Sequence, residues 1–192
     1  MKTISLLLLL LLPQLAPKTD DRKSTHQHII LNGQQTRVNW SDGDSFAVLR
    51  GPLKGAKARL GTYNSLESYG PVHSWGKSTG WDLYSNSKAA TLLAKSRMWE
   101  CHTKEGKDHY NRIFVECPEL SKEMLRTGLG HLFMIPAKGK ATPGDKDILE
   151  LQLQTQKNKL GMWAGGTPDK LITSLHSATE QRFQDGKRKP YN

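Results

Sequence analysis

Residues 26–40 read HQHIILNGQQTRVNW, an alternating apolar and polar run that is interrupted by Asn32-Gly33. An Asn-Gly pair between two such runs is a strong signal for a tight β-hairpin. The alternation continues through residues 46–60, on both sides of the turn GPLKG. We therefore predict that the first half of the chain is a meander of short strands.

Helical spacing of apolar residues appears from about residue 82 onward. Three helices are predicted there, over residues 82–97, from Pro118 to a stop at Gly128, and over residues 145–159. In the last helix we expect Leu149, Leu153 and Leu160 to face inward. The order of the predicted elements, strands first and then a mixture of strands and helices, indicates an α+β fold around a small barrel or sheet.

Two strand-like segments, RMWECH at 97–102 and RIFVEC at 112–117, are joined by a polar turn. The two cysteines, Cys101 and Cys117, lie one on each segment, where a cross-strand disulfide is geometrically possible. An oxidising compartment would favour this bond. Two buried thiols are the alternative.

The first 17 residues resemble a secretory signal, with one lysine, an apolar stretch from Ile4 to Leu12, and then Pro13. This stretch is too short to span a bilayer, so we expect no stable membrane insertion of the mature chain. A short uncleaved anchor or a buried strand is the alternative. We expect a secreted or periplasmic protein with three parts after the signal: a disordered lead at 18–25, a folded domain at 26–164 and a polar basic tail at 165–192.

The charge balance narrows the class of partner. The chain has 192 residues and a formal net charge of +10. Its length suits one domain with a hydrophobic core. A basic exported protein suits a polyanion such as nucleic acid, an anionic membrane surface or an acidic polysaccharide, although charge that serves only solubility is an equal alternative.

The groups that could bind and cleave a phosphodiester lie in three distant segments: DGDS at 42–45, RLGTYNSLE at 59–67 and DHYNR at 108–112. Asp44, the side-chain oxygen of Asn64 and a backbone carbonyl could form part of a Ca²⁺ or Mg²⁺ shell. Arg59 and Arg112 could bind phosphate oxygens, and Glu67 could deprotonate or orient a water. Taken singly, such groups are more often solvated turns or surface ion pairs.

In order and spacing, DGDS, RLGTYNSLE, YGP, DHYNR, EMLRTGLGHLF and KNKLGMW resemble the thermonuclease family, the staphylococcal nuclease-like nucleases, over residues 38–163. The resemblance implies a five-stranded OB-fold barrel with three helices, Ca²⁺ dependence, and hydrolysis of DNA and RNA with little sequence preference. Arg59, Glu67 and Arg112 match the catalytic trio of the family. We therefore expect an exported, metal-dependent endonuclease that acts as a monomer.

The metal set of the family is only partly matched. Asp44 stands at the position of a ligand carboxylate, Asn64 where the family usually has a second aspartate, and Ser65 where a threonine contributes its backbone carbonyl. Because Asn64 removes one negative charge, we expect Ca²⁺ binding to be weaker or the metal preference to be altered.

The base-contacting tyrosines of related nucleases are also missing, since this chain reads LFMIP after GLGH. We expect substrate contacts from Tyr110, His109 and Phe133 instead. The missing tyrosines and the amide in the metal set support an alternative function, a catalytically weak OB-fold protein that binds nucleic acid.

Five tryptophans, at positions 40, 75, 81, 99 and 163, could stack on bases if they are exposed beside lysines. Trp99 and Trp163 are each embedded in a patterned element. We therefore expect those two to be buried.

Overall fold

The computed structural model describes residues 27–66, 75–108, 110–132 and 143–167. The predicted signal at 1–17, the lead at 18–25 and most of the tail at 165–192 lie outside the described residues. No helix in the described ranges has the length and apolar character needed to cross a membrane.

The described elements are, in chain order, β1 (Gln27–Leu31), β2 (Gln34–Trp40), β3 (Ser45–Val48), β4 (Lys57–Leu60), β5 (Tyr63–Ser65), α1 (Gly80–Ala94), β6 (Glu100–Lys107), β7 (Ile113–Glu116), α2 (Pro118–Thr127), β8 (Gly130–Leu132), α3 (Pro143–Lys157) and a 3₁₀ turn at Gly161–Trp163. Six of the strands close into a barrel in the order β1-β2-β3-β4-β7-β6. β5 and β8 form a separate two-stranded sheet.

The first four strands form the antiparallel meander that the sequence predicts. Asn32 and Gly33 make the first hairpin turn with φ of 52° and 78°, values that an Asn-Gly pair tolerates. Two parallel pairs close the barrel, β1 with β6 and β4 with β7. The second of these pairs brings a strand from the second half of the chain beside β4.

The predicted α+β class, with a barrel and three helices, is confirmed within the described residues. The barrel has six strands, however, and not the predicted five. Both arms of the first hairpin belong to the wall, because β1 pairs with β2 on one side and with β6 on the other.

Local sequence signals set the ends of the first two helices. Thr79 and Asp82 form a capping box at the start of α1, in which Thr79 Oγ1 accepts from the Asp82 N–H and the Asp82 carboxylate accepts from the Thr79 N–H. α2 begins at Pro118 and ends at Gly128, which has φ of 70°. Both ends of α2 agree with the prediction.

The predicted inward face of α3 is partly wrong. Leu149 is partly buried, but Leu153 and Leu160 are 53% and 44% exposed. Gln152 and Thr155 are buried instead. Gln152 accepts a hydrogen bond of 2.6 Å from a backbone N–H of β8, and Thr155 donates one of 2.8 Å to a backbone carbonyl of α2. The helix packs where neighbouring backbone groups need partners, so polar side chains face inward there.

The core joins the barrel interior to the helices. A disulfide links Cys101 and Cys117, as predicted, and both cysteines are buried in the main core. Trp99 is buried in the same cluster. Trp163 is buried in a second cluster, which includes Leu83 of α1. Both tryptophan predictions are therefore confirmed.

Candidate functional site

The turn at residues 42–45 connects β2 to β3 and supports one wall of the site. A Cβ at Gly43 would lie 2.7 Å from the Cβ of Ala90 on α1 and 2.9 Å from the Cβ of Ser65. Only glycine therefore allows α1 and β5 to pack against this turn. The N–H of Asp44 donates to the Asp42 carboxylate at 3.0 Å, which holds the backbone of the turn at the start of β3.

Asp44 is buried, and both of its carboxylate oxygens accept hydrogen bonds. Oδ1 accepts from the Ser45 hydroxyl at 2.9 Å and from Arg59. Oδ2 accepts from the Ser65 N–H at 2.7 Å and from the Ser65 hydroxyl at 3.0 Å. Burial alone would raise the pKa of Asp44, but the charge of Arg59 and these hydrogen bonds outweigh it and lower the pKa below its usual value. Asp44 is therefore an ionised group whose oxygens are already engaged.

Arg59 links two other predicted site residues, Asp44 and Asn64. It lies on β4, and its side chain is only 5% exposed. One terminal nitrogen, Nη1, donates to Asp44, and the other, Nη2, donates to the side-chain oxygen of Asn64. Nη1 also lies 3.4 Å from the hydroxyl of Ser45. The guanidinium thus forms a buried ion pair with the turn and a hydrogen bond to β5.

Arg112 reaches the same hydroxyl from the other side. Its Nη1 donates to the hydroxyl of Ser45 at 3.3 Å. Its Nε donates to the Asp108 carboxylate at 2.6 Å, and its side chain is 21% exposed. The ring of Tyr110 lies 5.3 Å from the guanidinium carbon. Arg112 is the more accessible of the two arginines.

The loop before β7 holds Arg112 in this direction. The Asp108 carboxylate accepts from the backbone N–H groups of Tyr110 and Arg112, each at 2.9 Å. Burial would raise the pKa of Asp108, but the hydrogen bonds and charge of Arg112 outweigh it and lower the pKa. Asn111 has φ of 61°, a left-handed conformation that asparagine tolerates better than most residues. This conformation turns the chain so that Arg112 points back to the barrel end.

His131 lies behind Asn64 and was not predicted as a site residue. The two residues are partners across β5 and β8, with Asn64 Nδ2 3.5 Å from His131 Nε2. His131 Nδ1 lies 3.0 Å from the Leu132 carbonyl, so Nδ1 carries the proton and Nε2 accepts. Burial lowers the pKa of His131 to about 4. A neutral histidine therefore ends a chain of hydrogen bonds that runs through Asn64 and Arg59 to Asp44.

This buried histidine predicts a pH dependence of stability. The unfolded chain binds a proton at this residue near pH 6.5, whereas the folded chain does so only near pH 4. The free energy of unfolding should therefore fall by about 3 kcal/mol as the pH decreases through this window. Urea unfolding at several pH values would measure this change in the free energy of unfolding. His131→Gln should lack this part of the loss, and an equal loss in both proteins would contradict the assignment.

The described donors, one carboxylate and one amide oxygen beside the Ser65 carbonyl, are few for a Ca²⁺ shell, which takes about six to eight oxygen ligands and usually several carboxylates. Both oxygens of Asp44 and the oxygen of Asn64 accept hydrogen bonds, and Ser65 directs its N–H and hydroxyl at Asp44. Within the described ranges, no three His, Cys, Asp or Glu side chains group as metal ligands would. The guanidinium of Arg59 bridges Asp44 and Asn64, where the resemblance implies a metal.

The structure thus brings together Asp44, Arg59, Asn64, Ser65 and Arg112, five residues of the predicted set. Tyr110 is 57% exposed beside them. Three other predicted site residues lie outside the described residues: Glu67, His109 and Phe133.

Sequence reasoning missed three residues that complete the site. Ser45 lies inside the DGDS motif, and Asp108 precedes Arg112 by four residues, so both had a local signal. His131 had none, because its partner Asn64 is 67 residues away in the chain.

No model of a known protein family matches the chain. A search of curated proteins likewise found no match. These two comparisons therefore assign no activity to this chain.

Proposed function

We propose that the protein is an exported endonuclease that hydrolyses phosphodiester bonds of DNA and RNA, on a barrel of the OB type. What carries the proposal is one observation: the guanidinium groups of Arg59 and Arg112 converge on the hydroxyl of Ser45, at 3.4 Å and 3.3 Å. Two guanidinium groups at one point make that point strongly positive, and the more exposed of them, Arg112, is suited to the oxygens of a phosphate. The basic chain, with its net charge of +10, supports a polyanionic substrate.

The two arginines have different roles in this proposal. Arg112 keeps part of its side chain exposed and contacts the phosphate directly, where it stabilises the negative charge that builds up in the transition state. Arg59 would have to release Asp44 or Asn64 to make the same contact. We therefore assign Arg59 first to holding the wall of the site.

Glu67 is the proposed group that orients or deprotonates the attacking water. Ser65 is anchored on Asp44 by two hydrogen bonds. Glu67 follows that anchor by two residues in the sequence. This assignment comes from the resemblance.

Export is supported by the apolar stretch at 4–12 and by the disulfide between Cys101 and Cys117. Disulfides form and persist in oxidising compartments. We propose a secreted or periplasmic location for the mature chain.

Ca²⁺ should have no effect on the thermal stability of the protein. Arg59 and Ser65 donate hydrogen bonds to the oxygens of Asp44, and Arg59 donates to that of Asn64, so millimolar Ca²⁺ should leave the melting temperature unchanged, and chelator should do the same. Differential scanning calorimetry would measure this. A rise of the melting temperature with Ca²⁺ that Asp44→Asn abolishes would contradict the reading of the site and restore a metal there.

A second function is favoured by the buried pairing of Arg59 with Asp44 and Asn64, which engages one of the two arginines. In this alternative the protein binds nucleic acid and cleaves it weakly or not at all. Binding that weakens with salt, without turnover in any divalent metal or in chelator, would select it.

The proposal is tested by incubating the purified mature protein with plasmid DNA and with total RNA, with and without chelator. Wild type should cleave both, and Glu67→Gln should cleave much more slowly while still binding. If wild type and Glu67→Gln behave identically, the proposed role of Glu67 is wrong.

A further inference from the structure

One face of α1 carries exposed aromatic and apolar side chains at helical spacing. Trp81, Tyr84, Lys88 and Leu92 are separated by three, four and four residues, and so lie along one side of the helix. We call these four residues the α1 stripe. Trp81 is 74% exposed, Leu92 68% and Tyr84 44%. Exposed apolar residues scattered singly are ordinary, but a contiguous row of them marks an interaction site.

The α1 stripe is not needed to hold the helix in place. The buried side of α1 consists of Leu83, Ser87, Ala90 and Ala94. Three of these residues, Leu83, Ala90 and Ala94, pack into the two core clusters. The helix also has a complete capping box at its N-terminus. The stripe therefore faces away from the contacts that fix the helix.

The side chains of the stripe are already arranged as a stacking surface. The rings of Trp81 and Tyr84 stack with centroids 5.7 Å apart and an angle of 29° between their planes. The ammonium group of Lys88 lies 5.2 Å from the centre of the Tyr84 ring. Planar faces next to a cation are the combination with which proteins hold unpaired bases and their phosphates.

We propose that the α1 stripe binds a single-stranded segment of nucleic acid by stacking its bases, an inference that rests on nucleic acid being the ligand of the protein. Charge complementarity favours this occupant, since Lys77, Lys88 and Lys95 lie on or beside α1. The one acidic residue of α1, Asp82, is engaged in the capping box. A duplex is a poor occupant because its base faces are hidden in the stack.

The stripe belongs to the helix that packs on the candidate site. Ala90 of α1 lies against Gly43, in the same turn that carries Asp44. Trp81 is nine residues before Ala90, which is about 14 Å along a helix. The same helix thus contacts the turn of the site with its buried face and presents the stripe on its exposed face, so the protein should bind unpaired strands more tightly than duplex.

Anisotropy titration of a fluorescent oligothymidylate tests the inference. Trp81→Ala should weaken binding about tenfold, the loss of roughly one stacked base, and Trp81→Phe should weaken it less. Leu153→Ala, which removes an exposed leucine from α3, is the matched control and should bind like wild type. Equal binding by wild type and Trp81→Ala would overturn the inference. So would binding of anionic lipid vesicles without binding of the oligonucleotide.

A parallel assay with a small phosphodiester separates this inference from the proposed function. Trp81→Ala should hydrolyse the small ester at the wild-type rate, because the ester is too short to reach the stripe. If wild type hydrolyses nothing while Trp81→Ala loses affinity for the oligonucleotide, the binding role of the α1 stripe is supported and the nuclease proposal is wrong. If wild type cleaves and Trp81→Ala binds the oligonucleotide normally, the nuclease proposal stands and the stripe falls.

Discussion

Arg112→Ala should lower the rate of DNA and RNA cleavage by about 10²–10³-fold, the usual cost of removing one preorganised donor from a transition-state site. Arg112 has the more exposed of the two guanidinium groups at Ser45, and Asp108 holds it in place through its Nε. Initial rates on single-stranded DNA and on RNA would measure the loss. Arg112→Lys should recover only part of the activity, because an ammonium group keeps the charge but not the planar pair of donors.

Arg126→Ala is the matched control for this prediction. Arg126 is an exposed arginine on α2 that pairs with Glu123 and lies away from the site. Its removal takes the same charge from the chain, so a loss of general polyanion attraction would appear in both variants. Equal rates for Arg112→Ala and Arg126→Ala would contradict a specific role for Arg112.

Arg59→Met should destabilise the fold by about 3–5 kcal/mol, because it leaves the Asp44 carboxylate buried without its counter-charge. The side chains of Arg59 and Asp44 are only 5% and 2% exposed, so water does not replace the lost partner. Urea unfolding with an unchanged m value would give the difference in free energy.

A double-mutant cycle measures the interaction between Asp44 and Arg59 separately from the cost of each single change. Asp44→Asn together with Arg59→Met should cost much less than the sum of the two single changes, since no buried charge is left unpaired. The exposed pair of Arg126 and Glu123 is the control, and Arg126→Met should cost less than about 1 kcal/mol. Additive losses at Asp44 and Arg59 would show that the two side chains do not stabilise each other.

The parts of the fold that could be predicted from sequence are those with local signals. The Asn32-Gly33 turn, the capping proline at 118 and the stop at Gly128 each act within a few residues, and each was predicted correctly. Sequence patterns indicated strands in all six barrel segments, and the count of five came only from the resemblance. The closure of the barrel between β1 and β6 could not be predicted, because it pairs residues 70 positions apart, such as Ile30 and Glu100. The inward face of α3 was missed for a similar reason. Its neighbours are backbone groups of β8 and α2, and no periodicity reveals which polar groups they require.

The same distinction between local signals and contacts of distant residues applies to the candidate site. Motif order indicated that Asp44, Arg59 and Arg112 belong together, and all three meet at Ser45. The motifs did not reveal that Arg59 lies between Asp44 and Asn64, because that contact depends on how β4, β5 and the turn before β3 pack together. The role of His131 depends on the pairing of β5 with β8, and only the folded chain provides that pairing.

The most direct test of the account is the cleavage of single-stranded DNA and RNA by the purified mature protein, followed over time beside Arg112→Ala. Fragments should accumulate with wild type and nearly disappear with the variant, which should stay folded at the assay temperature although it loses the ion pair with Asp108. Wild-type protein that binds both nucleic acids but releases no fragments, with any divalent metal or with chelator, would contradict it.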